Sequence, residues 1–222
     1  MSKSKNTAIG FSKDKKRLPK NNLQEKTPSL LQEQKALELI DQGQLQEAEQ
    51  IYRELVAAGS KNHIVYGNLA ALCGLRGSKS QRMELLKQAL QINPNYPEAH
   101  NNLGNALQEQ GNIKQAVQSY EKALELKPNY ADAHNNLGIA LKELGNIKSA
   151  ITSFTKALEL QPIQADTLYN LGNALKELGD LNSAINSFQK AIRLRSAFPK
   201  AYNNLGTVLQ EQGDLGSAID SF

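Results

Sequence analysis

The chain has 222 residues, 40% of them apolar, one cysteine, no tryptophan and a formal net charge of +4. A lone thiol excludes an intrachain disulfide framework, and no apolar run approaches the roughly 18 residues that cross a bilayer. The positive charge does not make a nucleic-acid scaffold either, because residues 1–28 hold eight Lys or Arg against Asp14 and Glu25, leaving 18 basic against 20 acidic residues in the rest.

The segment 1–28 is basic, with DKKRLPK at 14–20 and no apolar stretch behind it, so no secretory signal is expected from it. It reads as a disordered basic arm without aromatic interleaving or a helical apolar stripe. The sharper reading is contact with an acidic partner, an anionic lipid or a phosphate backbone. Lacking targeting segments, the chain is expected to be cytoplasmic.

From residue 29 onward the sequence restates itself at a constant period, giving units at 29–62, 63–96, 97–130, 131–164 and 165–198 and a partial one at 199–222. In the first, Ala36, Leu39, Gly43, Ala48 and Tyr52 take positions 8, 11, 15, 20 and 24. Gln32 at position 4 suits an end repeat with one solvated face. The second unit departs most. Tyr66, Leu69, Ala70 and Cys73 keep the first-helix pattern, but Arg82 stands at position 20, where the other units have alanine. A guanidinium at a close helix crossing is costly unless it reaches water or its helix shifts. Cys73 reads as a small apolar filler.

The third unit, PEAHNNLGNALQEQGNIKQAVQSYEKALELKPNY, is the clearest. His100, Leu103, Gly104 and Leu107 fall on one face of a first helix, and Ala116, Tyr120 and Ala123 on one face of a second. Small residues at 104, 116 and 123 let the axes approach while larger ones fill the remaining space. Gly111 relieves the corner, Asn112 is a start signal for the second helix, and Pro128 ends it. The fourth unit repeats this with His134, Leu137, Gly138, Leu141, Gly145, Ala150, Phe154, Ala157 and Pro162. The fifth follows with Gly172, Gly179, Ala184, Phe188 and Ala191, and the last begins with Tyr202, Leu205, Gly206, Leu209 and Gly213 before stopping at Phe222. That half repeat leaves a seam for which end-to-end self-association, or continuation in a longer protein, is expected.

This pattern resembles the tetratricopeptide repeat, carried by LGNAL, QEQG, Ala116, Tyr120, Ala123 and Pro128, with His100 where that family usually has tryptophan. The resemblance implies an all-α fold, a right-handed superhelix built as an α-solenoid of antiparallel helix pairs. It also implies a protein or peptide partner in the concave groove.

Position 6 repeats without being needed for the core: it is Asn68, Asn102, Asn136, Asn170 and Asn204, with Asn105 and Asn173 at position 9. A side-chain amide both donates and accepts, so a ladder of amides suits an extended peptide backbone. Local hydrogen bonding or simple duplication is the other reading of the same residues. The ladder resembles the superhelix of O-linked N-acetylglucosamine transferases, which implies an alternative role as the substrate-recruiting part of a glycosyltransferase. Chaperone-tail-binding members of the family use a carboxylate clamp of Lys or Arg with Asn. At positions 2 and 5 this chain has Glu98, Asp132 and Asp166, and Asn101, Asn135 and Tyr169, so such a clamp is not predicted there. The carboxylates at position 13, Glu109, Glu143, Glu177 and Glu211, favour a neutral or mildly basic segment. No catalytic, metal or cofactor motif is present: His63, His100 and His134 lack the H-E-x-x-H spacing, and the glycines form neither a dinucleotide nor a phosphate loop. No specific nucleic-acid partner is expected.

Overall fold

The computed structural model describes residues 28–221, with side chains as far as Ile219. The arm expected over 1–28 lies outside these residues except for Pro28, which opens the first helix, and Phe222 lies outside them too. Every regular element among the described residues is helical: α1 (Pro28–Asp41), α2 (Leu45–Ala57), α3 (His63–Leu75), α4 (Lys79–Ile92), α5 (Pro97–Gln108), α6 (Ile113–Leu126), α7 (Ala131–Glu143), α8 (Ile147–Leu160), α9 (Ala165–Leu178), α10 (Leu181–Leu194), α11 (Pro199–Glu211) and α12 (Leu215–Ser221). Within each unit short links make consecutive helices antiparallel neighbours, which is the expected all-α, helix-pair solenoid class. The chain divides into two compact units, one ending at Gln110 and the other beginning at Gly111.

In the first unit the core runs through Ile40, Tyr52, Val65, Leu69, Leu72 and Leu86, all essentially buried. Arg82 does not reach water: it is only 6% exposed, and α4 spans the same repeat positions as α8 and α10. Its charge is instead met inside the unit. Nη1 donates to Glu109 Oε1 at 2.7 Å and Nη2 to the Asn102 main-chain carbonyl at 3.1 Å, which supplies the pairing that a buried guanidinium requires. Glu49 is a second buried charge, paired with Arg53 at 2.7 Å and Arg76 at 3.0 Å.

In the second unit the expected small-against-large packing is literal. A Cβ on Gly138 would come within 2.6 Å of the Phe154 ring, and one on Gly172 equally close to Phe188. Both rings are fully buried beside Ala150, Ala157, Ala184 and Ala191. The corner before α8 is turned by Gly145 at φ 79°, and Gly111 has the same value, a left-handed conformation that a Cβ disfavours. Asn112 does occupy the N-cap of α6, but its side chain makes no capping hydrogen bond. The same position is Asp180 before α10, and there the carboxylate accepts from the Ser183 amide at 3.1 Å. On α12, Leu215 and Ile219 are exposed.

The histidines at position 4 brace the preceding turn. His100 Nε2 lies 2.8 Å from the Pro94 carbonyl oxygen, and His134 Nε2 lies 2.9 Å from that of Pro128. A carbonyl only accepts, so the imidazole carries its hydrogen on Nε2.

Candidate functional site

The seven asparagines singled out by their periodicity all lie on first helices: Asn68 on α3, Asn102 and Asn105 on α5, Asn136 on α7, Asn170 and Asn173 on α9, and Asn204 on α11. Their surroundings differ between the units. Asn68 is fully buried and donates Nδ2 to the Tyr52 hydroxyl at 3.0 Å, so it presents no surface to a ligand. Asn102 is 3% exposed, and its main-chain carbonyl belongs to the Arg82 pairing. Asn105 is half-buried and lines a cavity of about 190 Å³ beside Arg82.

In the second unit all four are half-buried, and Asn170, Asn173 and Asn204 are linked across helices. Asn170 Nδ2 donates to Asn135 Oδ1 at 3.3 Å, joining α9 to α7. Asn204 Nδ2 donates to Asn173 Oδ1 at 2.6 Å and to the Tyr169 hydroxyl at 3.2 Å, joining α11 to α9. Asn136 lies beside Asn135, whose Nδ2 reaches its Oδ1 at 3.5 Å. Periodicity alone missed Asn135 and Tyr169 at position 5. The available signal was helical spacing, since Tyr169 and Asn173 stand at i and i+4 and share a face.

The carboxylates at position 13 do not form a bare acidic row. Lys142 pairs with Glu177 at 3.4 Å and Lys176 with Glu211 at 3.3 Å, each lysine coming from the preceding first helix, while Glu109 is held by Arg82. These pairs offset the charge that favoured a basic ligand. Being partly open to solvent, each lysine pair contributes little to stability.

Cys73 is fully buried, and burial pushes its thiol up, against the nearby Arg53 and Arg76. That is the filler expected of it rather than an activated nucleophile. Burial also pushes the Asp132 carboxyl up to about 6, with Lys127 acting in the opposite direction. Among the described residues no group of three or more His, Cys, Asp or Glu is placed to hold a metal ion. No helix among them is long and apolar enough to cross a membrane.

A family profile described as TPR repeat matches residues 83–111, 104–145 and 172–213, and two described as tetratricopeptide repeat match 131–163 and 153–186. The chain belongs to the tetratricopeptide repeat family. Among solved structures, this tetratricopeptide chain is similar to MamA (residue 41 to the end) from Desulfovibrio magneticus RS-1, with 28% identity, 72% of this chain and 90% of that one covered and a TM-score of 0.67. YrrB, described as a TPR protein with an unusual peptide-binding site, matches at 21% identity over 77% of this chain and 88% of its own, with a TM-score of 0.66. Pseudomonas aeruginosa PilF matches at 17% identity over 87% and 88%, with a TM-score of 0.76. At such identities the last two likenesses carry the fold alone. No curated protein matches the chain. The resemblance to glycosyltransferase superhelices rests on the asparagine repeat and on nothing in these matches.

Proposed function

We propose that this chain is an interaction scaffold that holds an extended peptide of a partner protein against the first helices α7, α9 and α11 of its second unit. The observation that supports this reading is the row of half-buried amides formed by Asn135, Asn136, Asn170, Asn173 and Asn204, joined by the Tyr169 hydroxyl. Each amide has two donor hydrogens and an accepting oxygen, and a bond such as the 3.3 Å contact between Asn170 and Asn135 uses only part of that capacity. An extended backbone supplies alternating N–H and C=O groups that match such a row whatever its side chains. Tetratricopeptide grooves commonly serve protein and peptide binding, which agrees with this use of the first-helix face. Because Glu177 and Glu211 are paired with lysines, the ligand favoured is one of low net charge.

The test is an array of 12-residue peptides of low charge, read with the wild-type chain and with the Asn136→Ala, Asn170→Ala double variant. The variant is expected to keep its helical signal and melting curve while losing about 1–3 kcal/mol of affinity, because several ligand hydrogen bonds disappear. If the variant melts much earlier but binds the same peptides equally well, the amides are structural rungs and the groove reading fails. If the wild-type chain captures none of the peptides, the reading fails as well.

A further inference from the structure

The second repeat departs from its neighbours at two positions that meet in space. Arg82 replaces the alanine found as Ala48, Ala116, Ala150, Ala184 and Ala218, and Gly74 stands where the later repeats have Gln108, Lys142, Lys176 and Gln210. The two changes fit each other: a Cβ on Gly74 would lie 3.2 Å from the Cδ and Nε atoms of Arg82. The missing side chain leaves room for the arginine stem and, beside it, the cavity of about 190 Å³. Its walls include Gly74 and Leu75 from α3, Arg82 from α4, Asn102 and Asn105 from α5, and Glu109 at the C-cap of that helix. That volume falls below the roughly 300–1,000 Å³ of a whole small-molecule site and suits a single side chain or chain terminus.

The ion pair in this cavity is lopsided. The Arg82 side chain is 8% exposed and that of Glu109 is 48% exposed, so the cation is fixed inside while its carboxylate reaches in from the solvent side. Only Nη1 contacts Glu109, through Oε1, while Nη2 is used by the Asn102 carbonyl. Glu109 therefore stands where a carboxylate from another molecule would stand. Exchanging one carboxylate for another never leaves the buried guanidinium uncompensated, and a released Glu109 returns to water at little cost.

We propose that this cavity is a carboxylate-binding site, with Arg82 as the fixed cation, Glu109 as the resident carboxylate that is displaced, and Asn105 as an amide at the rim. Its ligand is the free C-terminal carboxylate, or an Asp or Glu side chain, of a peptide lying over α3 and α5. The site differs from a first-helix carboxylate clamp because its cation comes from a second helix, at a core position. It rests on the reading of the chain as a peptide binder, but it uses helices of the first unit and none of the amide row of the second.

The experiment uses fluorescence anisotropy with three labelled ten-residue Gly-Ser peptides: one with a free C-terminus, one amidated, and one amidated with a central glutamate. Wild-type protein is expected to bind a carboxylate-bearing probe about tenfold tighter than the plain amide, the scale of a charge-assisted hydrogen-bonded pair. Whichever of the two carboxylate probes shows the preference identifies the source. Glu109→Gln removes the competing carboxylate and should tighten that probe several-fold. Arg82→Ala restores the residue usual at this position and should abolish the preference. The Asn136→Ala, Asn170→Ala variant should leave the carboxylate preference intact, which separates failure of this site from failure of the amide row. Equal binding of all three probes by the wild type would overturn the proposal. So would a Glu109→Gln variant, folded by circular dichroism, that binds the carboxylate no better than wild type, because Arg82 and Glu109 would then be a structural pair only.

Discussion

The two units fill the same repeat frame in different ways. In residues 111–221 the space between paired helices is taken by rings lying under glycines, Phe154 under Gly138 and Phe188 under Gly172, and the buried polar side chains are small hydroxyls, with Ser119, Ser153 and Ser187 each donating to the main-chain carbonyl four residues back. In residues 28–110 polar groups go inside: Arg82 and Glu49 are buried with partners, and Asn68 is buried on the Tyr52 hydroxyl. An apolar ring is satisfied by any close neighbour, whereas each buried polar atom requires a particular partner at hydrogen-bond distance. The second unit is thus tolerant of its sequence context. The first depends on a few specific pairings, and a cavity has formed there beside a charge.

The strongest way to test this difference is Phe154→Ala. The ring is fully buried against a glycine that has no side chain to fill the gap, so a loss of about 3–5 kcal/mol is expected in urea unfolding, with faster amide exchange in α7 and α8. A loss under about 1 kcal/mol would mean that the helix pair closes over the gap, and the description of the second unit as tightly ring-packed would fail.

A smaller effect should appear in the first unit at high pH. Burial pushes the Tyr52 hydroxyl up to about 12 from an ordinary value near 10, with the Asn68 hydrogen bond acting the other way. The folded state therefore holds this proton more tightly than the unfolded chain. Tyr52 contributes its full stability below about pH 10 and loses it as the pH rises toward 12, on the order of 2 kcal/mol at the upper end. Thermal melts between pH 9 and 12 should show this decline in the wild type and a shallower one in Tyr52→Phe. Equal slopes would show that Tyr52 ionises as an exposed phenol does.

The smallest expected change sharpens the comparison within the second unit. Asn146 caps α8 without a side-chain bond, while Asp180 at the equivalent position before α10 accepts from the Ser183 amide, which holds its carboxyl below the usual range. Asn146→Asp offers the same carboxylate to the Ser149 amide and should stabilise the chain by about 0.3–1 kcal/mol. Because a capping carboxyl has a depressed folded value, the gain should be present above about pH 4 and vanish as the pH falls further. Melting curves at pH 7 and pH 3 check both the gain and its loss.

The frame was legible in sequence because a repeat's own contacts are short-range. Gly138 and Phe154 belong to the two helices of one repeat, and their sizes declare the contact. The polar pairings were not legible for the opposite reason. Arg82 was visibly out of place, but its partner lies in the next repeat, at a position whose other members Glu177 and Glu211 pair with lysines. The asparagines show the same limit. Position 6 looks uniform, yet Asn68 meets the hydroxyl of Tyr52 in the preceding second helix, where Asn170 and Asn204 have Phe154 and Phe188. A phenylalanine offers no oxygen, and those two amides bond instead to Asn135, Asn173 and Tyr169. One atom on a neighbouring ring is thus enough to change what a repeated residue does.

The corner glycines have a consequence for how such a chain can change its length. Gly145 and Gly179 adopt nearly the same left-handed angle, φ 79° and 88°, and each is followed by the N-cap of a second helix. Joining Gly145 directly to Asp180 would excise the equivalent of one whole repeat, and the new junction would read as an ordinary corner followed by a helix that already carries its cap. Unequal crossing-over between such corners in the gene adds or removes whole helix pairs without creating a turn the backbone has not already made. The coding sequence can therefore be lengthened or shortened like a chain of identical links, and the near duplication of units 97–130 and 131–164 is the kind of record that process leaves.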